Sequence, residues 1–219
     1  MNLIKEFIAK APSNFTCYEF CTQLTSFISN QYKELEIDIQ TLSEHPEQRA
    51  TASAIIYNHT RHEIWMVGDC QCLIGTTLFE NPKPYEEPIA SMRSAYIRLA
   101  LLEGKTIEDF IEKDTGRTFV LPFMLNSMKY QNIRYAVIDG FPIPQQFVRI
   151  IPVPSSSKFS IVLASDGYPF LKPTLEESEK ALSSQLKNDP LCIDTFHATK
   201  GLKKGNVSFD DRSYIKFLI

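Results

Sequence analysis

The chain has 219 residues, 43% of them hydrophobic, and a formal net charge of −3. That length and content suffice for one large domain or two small ones with a sizeable core, and the acidic balance excludes the basic footprint of a general nucleic-acid binder. No apolar run approaches the roughly 18 residues needed to cross a bilayer, no secretory signal is read, and five cysteines make an odd set for a disulfide framework. A cytoplasmic protein with reduced cysteines is expected, with neither nucleic acid nor membrane as partner.

Leu3, Ile4, Phe7 and Ile8 give Asn2 to Lys10 a helical spacing, which Pro12-Ser13-Asn14 interrupts. A second amphipathic helix is expected from Thr16 to Tyr32, with Phe20, Leu24, Phe27 and Ile28 on one side. A polar loop follows from Glu44 to Arg49. Three strands are then expected, at Ala52 to Tyr57, Glu63 to Val67 and Cys72 to Phe79, forming one antiparallel meander. Helices are expected near Tyr85 to Leu102, with Gly104 past its end, from Thr106 with Asp109 three residues on, and from Phe119 to Tyr130 despite Pro122. Strands resume at Arg134 to Ile138, Phe147 to Val153 and Phe159 to Ser165. Thr174 to Lys187 reads as a helix opened by a Thr174/Glu177 capping box. A Lys- and Gly-rich loop, Thr199 to Asn206, leads to a last strand, Ser213 to Ile219. Two blocks of strands separated by helices predict a single α+β domain over residues 1–219, with two packed antiparallel sheets and helices outside them.

The most informative stretch is Ile161-Val162-Leu163-Ala164-Ser165-Asp166-Gly167. A buried strand there delivers a carboxylate to a sheet end, and glycine lets the backbone turn away. A second acidic pair, Asp210-Asp211, precedes the last strand. Carboxylates at strand ends suit hard divalent cations such as Mg²⁺ and Mn²⁺, which prefer oxygen ligands. Other motifs carry less. Cys17/Cys21 and Cys70/Cys72 lack the usual zinc spacing, so buried thiols are expected. His59, His62 and Glu63 frame a hairpin tip and read as polar surface, and His197 lies in a loop without an evident partner. Lys200, Lys203 and Lys204 read as a solvated loop, and Asp69-Cys70 as a turn.

Three separated segments, in order, resemble the metal-dependent protein phosphatases of type 2C. They are Arg49-Ala50-Thr51-Ala52-Ser53-Ala54 running into Trp65-Met66-Val67-Gly68-Asp69, then Leu163-Ala164-Ser165-Asp166-Gly167, then Asp210-Asp211-Arg212-Ser213. The resemblance covers roughly Phe15 to Ile219. It implies a four-layer α-β-β-α sandwich holding two Mn²⁺ or Mg²⁺ ions in the cleft between the sheets, where water attacks the phosphorus of a phosphoserine or phosphothreonine. It implies that Asp166 and Asp210 are metal ligands and that Asp69 is structural.

The departures are as informative. The family's opening strands, with their "DGHGG" motif and its bridging aspartate, have no counterpart, and neither does the phosphate-binding arginine near the family's start. The domain therefore reads as N-terminally shortened, either by genuine loss or because the frame was read from a late start. Tyr135-Ala136-Val137-Ile138-Asp139-Gly140 looks like the missing motif but lies in the wrong place along the chain. Asp166 and Asp210 alone would hold one ion weakly, because magnesium accepts few protein ligands and keeps its waters. Two functions follow from the resemblance: dephosphorylation of a phosphoprotein, or a pseudophosphatase acting as an interaction module. In the second, uncovered sheet edges invite a protein partner or a homo-oligomer.

Overall fold

A computed structural model describes residues 2–154 and 159–219. Helix α1 (Asn2–Lys10) precedes α2 (Cys17–Glu34). The start of α2 is fixed by a capping box, in which the Thr16 hydroxyl accepts from Glu19 N and the Glu19 carboxylate accepts from Thr16 N. A short helix, α3 (Ile39–Glu44), capped by Asp38, was not anticipated, and the expected polar loop shrinks to a 3₁₀ turn at Pro46–Gln48.

Strands β1 (Ala54–Asn58) and β2 (Glu63–Val67) pair antiparallel, and β2 pairs in turn with β5 (Arg149–Pro152). These three form one sheet in the order β1-β2-β5. The expected strand Cys72 to Phe79 is two strands, β3 (Gln71–Ile74) and β4 (Thr77–Glu80), folded back on each other about Gly75-Thr76. The pair does not extend the first sheet as a meander. It joins β6 (Ser160–Ala164) and β7 (Tyr214–Leu218) in a second sheet of order β4-β3-β6-β7. The expected strand Arg134 to Ile138 is not one. Only isolated bridges, Ala52 with Ile138 and Gln131 with Tyr135, form there.

Helices α4 (Glu86–Leu102), α5 (Ile107–Glu112) and α6 (Thr115–Met128) follow the first four strands, and α7 (Leu175–Asn188) lies between β6 and β7. Thr106 and Asp109 form the expected capping box on α5, and Thr174 caps α7 by accepting from Glu177 N. Pro122 sits inside α6 without ending it.

Strand alternation explains the packing. Ile64 and Met66 of β2 meet Cys72 of β3 and Ile161 and Leu163 of β6 in a buried cluster between the sheets. The opposite face of β2, Trp65 and Val67, packs on Phe20, Leu24 and Ile28 of α2. The opposite face of the second sheet, Leu73, Val162 and Ala164, packs on Leu182 of α7 and on Cys192. The architecture is α+β, two antiparallel sheets with helices, compatible with a sandwich. All five cysteines are buried and unbridged. No helix among the described residues is long and apolar enough to cross a membrane.

On the far side of the second sheet, β7 is an edge. Ser165 N donates to Ser213 O, and Phe159 and Ile219 exchange both backbone bonds. Alternation along the ladder then turns Ser213, Ile215, Phe217 and Ile219 toward β6, and leaves the backbone groups of Tyr214, Lys216 and Leu218 on the open edge.

Two buried ion pairs staple the helices to the loops. Asp139, the acid of the motif resembling "DGHGG", is fully buried. Its carboxylate accepts from Arg49 Nη1 (3.0 Å), Asn132 Nδ2 (2.9 Å) and Phe141 N (3.0 Å). Fully buried and paired with Arg49, Asp139 shapes a turn. The second staple is Arg93 of α4, also fully buried. It donates to Asp114 Oδ2 (2.7 Å), Leu191 O (2.8 Å) and Ala198 O (3.1 Å).

Candidate metal centre

The loops after β2 and β6, the start of α4 and the approach to β7 meet at one cavity of about 230 Å³. Its lining includes Asp69, Lys83, Glu86, Asp166, Lys200 and Asp210. One carboxylate oxygen from each of Asp69, Glu86 and Asp166 lies within 4.8 Å of the others. Asp166 is where its strand-end position suggested. Asp210 reaches the same cavity but lies outside that group of three, and Lys200 Nζ donates to its Oδ1.

Local structure explains each position. Gly68 adopts φ +87°, and a Cβ there would fall 2.2 Å from Ser53 Oγ, so only glycine permits the turn that brings Asp69 in. Asp69 Oδ1 accepts from Ser53 Oγ (2.6 Å), and Oδ2 accepts from Lys83 Nζ. Glu86 stands in the first turn of α4, where the helix dipole favours a carboxylate. Asp166 follows the buried β6. Gly167 serves close approach rather than a special backbone angle: a Cβ there would lie 2.2 Å from Asp211 O and 2.9 Å from Arg212 Cβ. The loop bearing Asp210 therefore rests directly on the loop bearing Asp166. Arg212 anchors that second loop to α7 through two bonds to Glu179, Nε to Oε1 and Nη2 to Oε2, both 2.8 Å.

Replacing Gly167 with alanine tests this contact. The clash is with backbone, which cannot rotate aside, so Gly167→Ala is expected to cost about 1–3 kcal/mol. It should also weaken cation binding by moving Asp210 away from Asp166. Urea unfolding and Mn²⁺ titration would measure both, and an unchanged protein in both assays would refute the close approach.

The electrostatics are those of crowded like charges. Asp166 is open to solvent, yet its carboxyl is pushed up to about 7, by burial of the carboxyl in the cavity wall and then by the charges of Asp69, Asp210 and Glu86. Burial, Asp69 and Asp210 also raise Glu86, against the pull of Lys83 and Lys200. Burial works to raise Asp69 too, but the Lys83 ammonium and the hydrogen bonds from Lys83 and Ser53 outweigh it and hold its carboxyl low. Burial pushes the neighbouring Cys70 thiol up to about 12, with Asp69 and Asp166 adding to it, so it stays protonated.

This donor set fits a hard divalent ion. Among the described residues, the carboxylates of Glu86 and Asp166 accept no hydrogen bond from the protein. Six acidic residues (Asp69, Glu80, Glu86, Glu87, Asp166, Asp210) line the cavity against two lysines (Lys83, Lys200), an excess of acid that a divalent ion would offset in part. All-oxygen donors suit Mg²⁺ or Mn²⁺ and give no reason for zinc. Lys83 engages Asp69 and Lys200 engages Asp210, so an ion taking either acid would displace an ammonium from it.

Sequence reasoning did not find Glu86 or Lys83, and read Asp69 as a turn. The available signal was the short Asn81-Pro82-Lys83-Pro84 loop leading into Glu86-Glu87, charged residues on a constrained segment directly after a strand. His197 has a partner after all, Ser91 Oγ at 3.2 Å from Nδ1, and it too lines the cavity. His59 and His62 remain at the β1–β2 turn, with ring centroids 5.6 Å apart. Compared with protein-family models, curated proteins and solved structures, the chain matches none.

Proposed function

We propose that this chain is a phosphatase 2C-like domain that holds one Mg²⁺ or Mn²⁺ ion through Asp69, Glu86 and Asp166, with Asp210 beside them, and that acts on phosphoserine or phosphothreonine in proteins. One observation carries the reading. The three segments that resemble the family, far apart in sequence, carry Asp69, Asp166 and Asp210, and all three acids line one cavity. The two-sheet architecture with helices is the kind the resemblance implies.

A cation there would neutralise charge on phosphoryl oxygens and favour an activated water. The chain's own contribution is to fix Asp69 and Asp166 on short loops and Glu86 in the first turn of α4, to set Lys83 and Lys200 against Asp69 and Asp210, and to present His197 at the cavity wall. Without a bridging carboxylate, slow turnover is expected.

A second reading has its own support. Lys83 and Lys200 already pair with Asp69 and Asp210, an internal neutralisation that suits a pseudophosphatase binding a protein partner without turnover.

Isothermal titration with Mn²⁺ and hydrolysis of p-nitrophenyl phosphate separate the two. The first reading expects one bound ion and slow Mn²⁺-dependent hydrolysis that Asp166→Asn removes. Ion binding without hydrolysis selects the pseudophosphatase, and absence of binding rejects the metal centre.

A further inference from the structure

The two sides of the paired sheets close differently. Where β5 lies beside β4, Arg149 of β5 bridges the sheets: its Nη1 donates to Glu80 O, and its guanidinium stands 5.3 Å from the centre of the Phe79 ring. On the other side the sheets end in β1 and β7, each paired on one side only. Among the described residues no hydrogen bond joins those two strands, and they meet through Tyr57 and Phe217, with ring centroids 5.1 Å apart. Ile215 shares the strand face of Phe217 and Ile219, which pack toward the first sheet, yet it is 60% exposed. An apolar seam between the sheets therefore stands open. Beside it, Tyr214, Lys216 and Leu218 turn their N–H and C=O groups outward, and none of them is proline. Lys216 is the one charged residue of β7, is exposed, and makes no ion pair among the described residues. At one end of the seam His59 packs on Tyr57, and His62 Nδ1 lies 3.5 Å from the Tyr57 hydroxyl.

We propose that this side takes up an extended, acidic segment of another protein, which adds to β7 as a fifth antiparallel strand of the second sheet and closes the seam. Main-chain bonds to an open strand supply affinity, and alternate side chains supply selectivity. The residue that exchanges bonds with Lys216 sits beside its ammonium, where an acid is favoured and a base opposed. The residues before and after it turn to the other face and cover Ile215 and Phe217, so they are apolar. Such docking needs neither the cation nor turnover, so it goes beyond the phosphatase reading and survives that reading's failure.

The test is fluorescence anisotropy in EDTA with a short labelled peptide, capped at both ends, that alternates valine with threonine and carries glutamate in place of the central threonine. Exchanging that glutamate for lysine is expected to weaken binding about threefold or more, the scale of a cross-strand charge pair made and then opposed. Lys216→Glu should reverse the order of the two peptides. Methylating the nitrogen of the central residue removes a bond to β7 and should cost about tenfold, whereas methylating the next nitrogen, which faces away, should cost little. Ile215→Ser, at a site open to solvent, should weaken both peptides about fivefold. Circular dichroism checks that the two variants fold, and the methylated peptides test the same geometry on the unaltered protein. No binding at millimolar peptide, an order of peptides that Lys216→Glu leaves unchanged, or indifference to which nitrogen is methylated would overturn the proposal. A wild-type dimer in light scattering that Ile215→Ser dissociates would give this side to a second copy and overturn it equally.

Discussion

Arg93→Ala is expected to lower the free energy of unfolding by about 3–5 kcal/mol, the range for removing one partner of a buried ion pair. For a chain of this length that is roughly 6–20 °C in melting temperature. The size follows from what the guanidinium does. It is fully buried and reaches Asp114 at the start of α6 and the carbonyls of Leu191 and Ala198. Removing it leaves the Asp114 carboxylate, only 5% exposed, without its counter-charge. Arg93→Lys should also destabilise, because one ammonium cannot reach acceptors spread across a planar fork. Pairing Arg93→Met with Asp114→Asn should recover part of the loss, since no stranded charge remains and asparagine still caps α6. Thermal unfolding of the single and double variants checks this, and a loss under about 1 kcal/mol for Arg93→Ala would show the pair to be dispensable. The effect should reach the metal centre too. The segment that Arg93 holds at Ala198 carries His197 and Lys200 into the cavity wall.

The second large effect concerns Asp166. Asp166→Asn is expected to weaken Mn²⁺ binding by at least about tenfold, as the loss of a charged ligand should, while making the ion-free protein more stable at pH 8. The sign follows from linkage. The Asp166 carboxyl is pushed up to about 7, by burial and then by its acidic neighbours, against an ordinary value of 3.8. Between those values the folded chain binds a proton that the unfolded chain has released. Its stability on this account therefore rises as pH falls from above 7 toward 4, and declines as pH rises through 7. Asparagine removes that dependence together with the repulsion above pH 7. Cation binding runs the other way, because proton and ion compete for the same oxygens. Mn²⁺ affinity in the wild type should climb with pH up to about 7 and level off above it. Titrations from pH 5.5 to 8.5, with parallel urea unfolding of both proteins, measure these trends. A Mn²⁺ affinity indifferent to pH, or an Asp166→Asn protein less stable than wild type at pH 8, would reject Asp166 as a ligand held among like charges.

What could be read from the sequence was local. Glu63 to Val67 is β2 as expected, because a continuous apolar run of strand length, buried on both faces, follows a polar turn. The helices at Asn2, Thr16, Thr106 and Thr174 start where their spacing or capping side chains place them. What could not be read was set by distant partners. Residues Arg134 to Ile138 have strand-like composition, but Asn132 and Asp139 bind each other and the backbone of Val137 and Phe141, which curls the segment out of any ladder. Cys72 to Phe79 looks continuous until its partners are known: β3 lies between β4 and β6, so the chain must reverse at Gly75-Thr76.

The site divides in the same way. Asp166 announces itself by ending an apolar strand. Asp210 does so less clearly, since its role depends on Lys200 and on the contact that Gly167 allows. Glu86 looks like any acid opening a helix, and only the third dimension sets it against Asp69 and Asp166.

The exposed margin of β7 bears on how the protein behaves when concentrated. Among the described residues its free backbone groups belong to Tyr214, Lys216 and Leu218, and Ile215 and Leu218 add apolar surface beside them. A margin of this kind is a template on which further molecules can stack into fibres. Lys216 stands at its centre, so two copies aligned about that residue would set ammonium against ammonium, and the stack would be opposed at its first step. Strong brine mutes such repulsion, which makes dilute salt the better medium for storing this protein.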